Sequence, residues 1–204
     1  MEKFTTLTAV ALPLDMANVD TDQIMPTRFM SRARKEGFSR QLLYNLRFDA
    51  EGNPKPGLLF DDAAYAGSAI LIAGDNFGSG SSRESAVWAL ADYGLKAIVA
   101  PGFGDMFINN CFKNGVLPIK LAQADVTALM AYFTQNPGAA MTIDLANQTV
   151  TAMADFSQRF DINPFRKLLL QEGTDDIDFT LRQEEAIAHF EQNYERELPW
   201  TTLK

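Results

Sequence analysis

Short apolar runs alternate with amphipathic stretches through the middle of the chain. Ala69-Ile70-Leu71-Ile72-Ala73 is apolar at every position and stops at Gly74, the pattern of a strand buried on both faces. From Ser82 onward Ala86, Val87, Leu90, Ala91 and Leu95 recur at helical spacing, and Gly94 offers a stop. The apolar run Ala97-Ile98-Val99-Ala100 ahead of Pro101 predicts a second strand. This order of strand, loop, helix and strand is that of an α/β unit, in which ligands gather at the carboxyl ends of the strands.

Further along, Val116-Leu117-Pro118-Ile119 predicts a third strand whose proline suits an edge or a strand end. Residues 122–135 read as a helix, and Phe107-Ile108-Asn109-Asn110-Cys111-Phe112-Lys113 as a short helix or ordered loop. Alternation in Met141–Leu145 and Thr149–Ala152 around Asn147-Gln148 predicts a β-hairpin. Helices are expected from Pro164 to Leu170 and from about Leu181 to Arg196. The expected organisation is an α/β domain over residues 1–155 and a helical extension over 156–204, packed on the domain or on a partner.

Charge and composition narrow the function classes. The 204 residues carry 26 acidic against 18 basic side chains, a net charge of −8, with no cluster of cations able to neutralise a phosphate backbone. Nucleic acid is not an expected partner. No run approaches the roughly 20 apolar residues that cross a bilayer, and the opening Met1–Thr8 lacks the basic and apolar segments of a signal peptide. The expectation is a cytoplasmic protein. Arg28, Arg32, Arg34, Lys35, Arg40 and Arg47 form a basic stretch, either a solvated surface or a segment presenting cations to an acidic substrate.

Chemistry concentrates in Gly78-Ser79-Gly80-Ser81-Ser82-Arg83-Glu84, between the first predicted strand and its helix. The surrounding glycines match neither a dinucleotide fingerprint nor a phosphate-binding loop. Ser81 and Glu84 have the spacing of a capping box, which is one reading of the loop. In the other, free amides at the helix start and the Arg83 fork hold a substrate carboxylate, and a serine transfers a proton. Asp20 and Asp22 either join this site or bond their own turn. Cys111 is the only cysteine and His189 the only histidine, so one chain offers no multi-thiolate or multi-imidazole metal site. Cys111 reads as a buried small hydrophobe and His189 as a surface or interface residue.

Three segments together, Asp20-Thr21-Asp22-Gln23-Ile24-Met25-Pro26, Asp75 to Glu84, and Asn109-Asn110-Cys111-Phe112-Lys113-Asn114-Gly115, resemble the small-subunit family of 3-isopropylmalate dehydratase. That family is related to the swivelling C-terminal domain of aconitase. The resemblance implies a swivelling β/β/α domain that forms a heterodimer with a large subunit, which alone binds a [4Fe-4S] cluster. It implies a hydro-lyase acting on a small dicarboxylate, 2-isopropylmalate, in leucine biosynthesis.

By the same resemblance Ser81 takes the carbon-bound proton, and Arg83 binds a carboxylate with help from Ser82. Asp22 organises the hydrogen bonds, Arg28 is a substrate-contact candidate, and Gly78, Gly80 and Glu84 shape the loop. Leu42–Phe48 is an unassigned specificity region. Ser85 replaces a family histidine, and Gly102 and Gly104 replace serine and alanine. These departures keep a related hydro-lyase acting on citraconate, homoaconitate or a substituted malate as an alternative. A non-catalytic interaction module is the alternative of a different class.

Overall fold

A computed structural model describes residues 1–31 and 33–201, leaving Arg32 and residues 202–204 outside the described set. Seven strands form one sheet in the order β4-β3-β2-β1-β5-β6-β7. They are β1 (Thr6–Leu14), β2 (Ile70–Ala73), β3 (Ala97–Ala100), β4 (Leu117–Lys120), β5 (Ala140–Asp144), β6 (Thr149–Thr151) and β7 (Ser157–Arg159). The helices are α1 (Thr21–Ile24), α2 (Tyr44–Arg47), α3 (Glu84–Tyr93), α4 (Asp105–Lys113), α5 (Gln123–Gln135), α6 (Pro164–Glu172), α7 (Asp176–Leu181) and α8 (Glu184–Glu197). Among the described residues no helix is long and apolar enough to cross a membrane.

The sheet is parallel from β1 to β4 and antiparallel from β1 through β5 and β6 to β7. In the parallel half, alternate residues enter two cores. Leu71, Ala73, Ile98 and Ala100 pack beneath α3 and α4, whereas Ile70, Ile72, Ala97 and Val99 pack against α5. Helices on both faces explain why β2 and β3 read as unbroken apolar runs. Pro118 lies in β4, at the sheet edge, where its missing N–H interrupts no ladder on the outer side. Gly94 adopts the left-handed conformation and ends α3.

β1 joins the two halves, and the alternation rule alone did not single it out. Thr6–Val10 pair with β5 and are partly exposed, while Ala11–Leu14 pair with β2 and are fully covered. Pro13 is tolerated in this central strand because the Ala11 amide still reaches Ala139, while two residues on, the same side of β1 has passed the end of β5.

The hairpin forms as expected, closed by Asp144, whose carboxylate accepts from the Asn147 amide at 2.8 Å. After residue 155, β7 extends the sheet and α6 buries Leu169 and Leu170. The helix expected from Leu181 begins later, because α7 ends there and α8 starts at Glu184. The basic stretch divides as well. Arg34 pairs with Asp92 at 2.7 Å, whereas Arg47 is buried and clamps Asp61 through Nε at 3.1 Å and Nη2 at 2.6 Å.

Candidate active site

Because β1, β2 and β3 are parallel, the loops that leave their carboxyl ends emerge on one edge of the sheet. The loop after β2 lies between the other two and is laced to both. On one side the Asn18 amide donates to Asp75 at 2.8 Å, Gly78 to Val19 at 2.7 Å and Thr21 to Ser79 at 3.0 Å. On the other, Phe77 donates to Gly102 and Gly104 to Phe77, both at 3.0 Å. These bonds fix the backbone that carries Ser81, Ser82 and Arg83.

Gly78 and Gly80 both take positive φ, the conformation that L side chains avoid. A Cβ on Gly78 would also sit 2.2 Å from the Phe107 ring. The two glycines that depart from the family pattern permit the same close packing. A Cβ at Gly102 would meet Asp75 Oδ1 at 2.4 Å, and one at Gly104 would meet the Gly78 carbonyl oxygen at 2.4 Å. At Gly104 the obstacle is backbone, so there the loop after β3 stands closer to the serine loop than a side chain allows, whereas at Gly102 the Asp75 side chain could swing aside.

The capping box expected at Ser81 and Glu84 does not form. The N-cap of α3 is Arg83, whose side chain makes no capping bond, and Glu84 instead accepts from Asn114 Nδ2 at 2.9 Å. Thr21 Oγ1 donates to the Ser81 carbonyl at 2.8 Å, which holds Ser81 in the loop two residues ahead of the N-cap. Its hydroxyl is exposed and without a protein partner among the described residues. The capping box of this region belongs to Asp20, which accepts from the Gln23 amide at 2.7 Å while Gln23 Oε1 accepts from the Asp20 amide at 3.0 Å.

The two aspartates therefore separate in role. Asp20 serves its own turn, and Asp22 faces Arg83, pairing through Oδ1 with Arg83 Nη1. Thr27 Oγ1 donates to the same carboxylate oxygen and accepts from Arg83 Nη1 at 3.1 Å. Hydrogen bonds from Arg83 and then Thr27 lower the Asp22 pKa to about 2, and Asp22 in turn raises that of Arg83. Among the described residues only Nη1 of Arg83 is engaged. Its Nη2 and Nε are unoccupied among the described residues, an N–H edge of the shape that grips a carboxylate.

Ser82 Oγ stands beside Asn110 Nδ2 at 3.5 Å, while Asn114 ties α4 to Trp88 and Glu84 of α3. Ser85, by contrast, is buried in the first turn of α3 with no partner for its hydroxyl among the described residues. Arg28 stands apart from this network. Its guanidinium lies 4.6 Å from the Phe29 ring centre and 5.2 Å from that of Tyr44, and bonds Asn45 Oδ1 at 2.6 Å. With Lys55 it lines an open hollow of about 550 Å³. Of the segment Leu42–Phe48, Leu42, Leu43 and Arg47 are buried away from that hollow, and Tyr44, Asn45 and the largely buried Phe48 line it.

Thr21, Thr27 and Asn110 escaped the sequence reading as site residues, although Thr21 and Asn110 lie inside the quoted motifs. Cys111 is fully buried among apolar side chains, and burial pushes its thiol pKa well up. Among the described residues no group of three His, Cys, Asp or Glu side chains is arranged to hold a metal.

Comparison with known proteins agrees with this architecture. Residues 1–124 match the aconitase C-terminal domain and residues 127–164 the family LeuD_N, while residues 176–203 match the C-terminal domain of the 3-isopropylmalate dehydratase small subunit. The 3-isopropylmalate dehydratase small subunits of Rhodospirillum centenum and Paramagnetospirillum magneticum are 48% and 46% identical over 200 residues. Each match covers 98% of this chain, and it covers 98% and 100% of those relatives respectively. The crystal structure of a 3-isopropylmalate dehydratase from Methanocaldococcus jannaschii has the same fold, with a TM-score of 0.64 at 21% identity over 91% of this chain and 99% of that one. With near-complete coverage at close to half identity, and the serine loop set on the edge of an aconitase-type domain, this chain belongs to the 3-isopropylmalate dehydratase small-subunit family.

Proposed function

We propose that this chain is the small subunit of a 3-isopropylmalate dehydratase, a hydro-lyase that interconverts 2-isopropylmalate and 3-isopropylmalate through 2-isopropylmaleate in leucine biosynthesis. The observation that carries the reading is the unpartnered Ser81 hydroxyl beside Arg83, whose Nη2 and Nε stay open while Asp22 and Thr27 hold Nη1. The relatives are named as small subunits, so the active complex includes a large subunit. The one thiol of this chain is buried, and among the described residues no group of three His, Cys, Asp or Glu side chains is arranged to hold a metal. In this reading a [4Fe-4S] cluster belongs to the large subunit, where it supplies Lewis acidity toward the departing hydroxyl.

The chain's own residues then handle binding and the proton. Arg83 grips one substrate carboxylate bidentately and its charge favours the carbanionic character that develops beside it. Ser82 donates to the same carboxylate. Ser81, in its alkoxide form, takes the proton from the substrate carbon. The C–H electron pair becomes the second bond of the alkene as the hydroxyl leaves the neighbouring carbon with its bonding pair. In the second half the Ser81 hydroxyl returns its proton to the carbon that lost the hydroxyl, while hydroxide, or water giving up a proton as its oxygen bonds, adds to the carbon that lost hydrogen. This restores the Ser81 alkoxide and gives the isomer.

No histidine stands beside Ser81 to act as its base, so its ionised form depends on the guanidinium and the free amides at the start of α3. Asp22 keeps Arg83 oriented, and Arg28 in its aromatic hollow is a second cation for the far end of the dicarboxylate. In this reading the complex works in the cytoplasm, without nucleic acid or membrane.

Anaerobic reconstitution with a cluster-loaded large subunit, assayed on 2-isopropylmalate, citraconate and homoaconitate, tests the reading. Preference for 2-isopropylmalate supports it. Preference for either other substrate retains the hydro-lyase and replaces the substrate, and no turnover on any of them contradicts it.

A further inference from the structure

The last two helices have no core of their own. α7 is tied to the body through α6, where Arg166 pairs with Asp176 at 3.2 Å, Arg182 pairs with Glu172 at 2.6 Å and the Phe165 and Phe179 rings meet edge to face at 5.1 Å. α8 buries none of its 14 residues, and its main neighbour is the turn Pro199–Thr201 that follows it. An isolated helix of about that length is marginal in water. Yet α8 is amphipathic. Ile187, Phe190 and Tyr194 fall at i, i+3 and i+7, on one stripe, and are 39%, 64% and 42% exposed. The Phe190 and Tyr194 rings stack at 5.7 Å, presenting a preformed aromatic ridge to solvent.

Charge selects the occupant. Five glutamates and a single arginine lie on α8, so pairing it with its counterpart in a second copy would bring carboxylates against carboxylates. The same charge repels anionic lipid. A partner with an apolar groove rimmed by Lys or Arg fits instead. The location of the arm agrees, because the aconitase-type match ends at residue 124, whereas residues 176–203 match a domain named for the small subunit. A small subunit is a separate chain from its large partner, and so needs a contact that holds the two together.

We infer that α7 and α8 form a docking arm for the large subunit, with Ile187, Phe190 and Tyr194 seated in an apolar groove bordered by cations. The inference rests on the small-subunit reading above. It assigns the arm to assembly and leaves the serine loop responsible for chemistry.

Full-length chains, unaltered and carrying Phe190→Ser with Tyr194→Ser, are titrated into cluster-loaded large subunit while binding and isomerase turnover are followed. The double variant is expected to raise the Kd for the large subunit about tenfold or more, as the loss of two aromatic anchors does. Its kcat at saturation and its own melting temperature stay unchanged. Amide exchange over α8 in the unaltered chain slows on complex formation.

Equal Kd values for the two chains overturn the arm and leave the small-subunit reading standing. So does a loss confined to kcat at saturation. A dimer of the free chain that the double variant abolishes, seen by sedimentation, assigns the ridge to a second copy and overturns the large subunit as occupant. Both the arm and the reading beneath it are contradicted if the unaltered chain neither binds nor activates the large subunit.

Discussion

The serine loop and the C-terminal arm are both exposed, but they are held in opposite ways. Backbone hydrogen bonds from two neighbouring loops fix residues 75–79, and Phe107 and the Gly78 carbonyl stand where added side chains would collide. Among the described residues the arm is tied by two surface ion pairs and one ring contact, and α8 buries none of its residues. Exposed ion pairs of this kind contribute roughly 0–1 kcal/mol each. The loop is thus shaped before substrate or partner arrives, as charge stabilisation in a transition state requires, while α8 leaves its apolar stripe without a cover in the isolated chain. In the proposed division of labour, preorganisation marks the part assigned the chemistry and deferred packing the part assigned assembly.

The sharpest way to break that contrast is at Arg83. Arg83→Lys keeps the charge and removes the planar fork, and turnover of the reconstituted complex is expected to fall about 10²-fold to 10³-fold. Turnover within a factor of two of the unaltered complex would show that the open guanidinium edge is not used. Gly104→Ala comes next. Its Cβ would meet the Gly78 carbonyl oxygen at 2.4 Å, and such overpacking costs about 2 kcal/mol, or roughly 4–8 °C in melting temperature by calorimetry. An unshifted transition would mean that the two loops are not locked together.

Asp22 gives a smaller, pH-dependent effect. Its folded pKa is depressed from 3.8 to about 2, so the stability it adds is fully present above 3.8 and is lost as pH falls through about 2. An NMR titration of its carboxyl carbon is expected to show that low midpoint. A midpoint near 3.8 would mean that Asp22 does not hold Arg83 in solution. The smallest effect belongs to the arm, where Phe190→Ser should leave the isolated chain's stability within about 0.5 kcal/mol of the original. A drop of several degrees on that change would erase the distinction between loop and arm.

What the sequence disclosed follows the range of the interactions involved. Strands β2 and β3 were legible because burial on both faces makes every position apolar, and α3 because one face meets the sheet. β1 was not singled out, since its first half carries exposed threonines and its second half contains Pro13. The tolerance for that proline depends on where β5 ends, far along the chain.

The motif residues Asp22 and Arg83 do meet, but the local rule for Ser81 failed. Its spacing to Glu84 suited a capping box, but α3 starts at Glu84 with Arg83 as its N-cap, and the Ser81 carbonyl and Glu84 carboxylate bond the distant Thr21 and Asn114 instead. Thr27 was missed for the same reason, because its partner Arg83 lies 56 residues away. Asp20 shows the reverse case. Its bonds run three residues along the chain, and of its two readings the turn chemistry is the one that forms.

The central claim is that Ser81 moves the substrate proton in a site completed by the large subunit. It is tested most directly by isomerisation of 2-isopropylmalate in the reconstituted complex carrying Ser81→Ala, with affinity for the large subunit measured on the same sample. The account predicts turnover lower by about 10²-fold to 10⁴-fold, the range for loss of a positioned proton-transfer group, with that affinity unchanged. Undiminished turnover at full occupancy of the complex would contradict it.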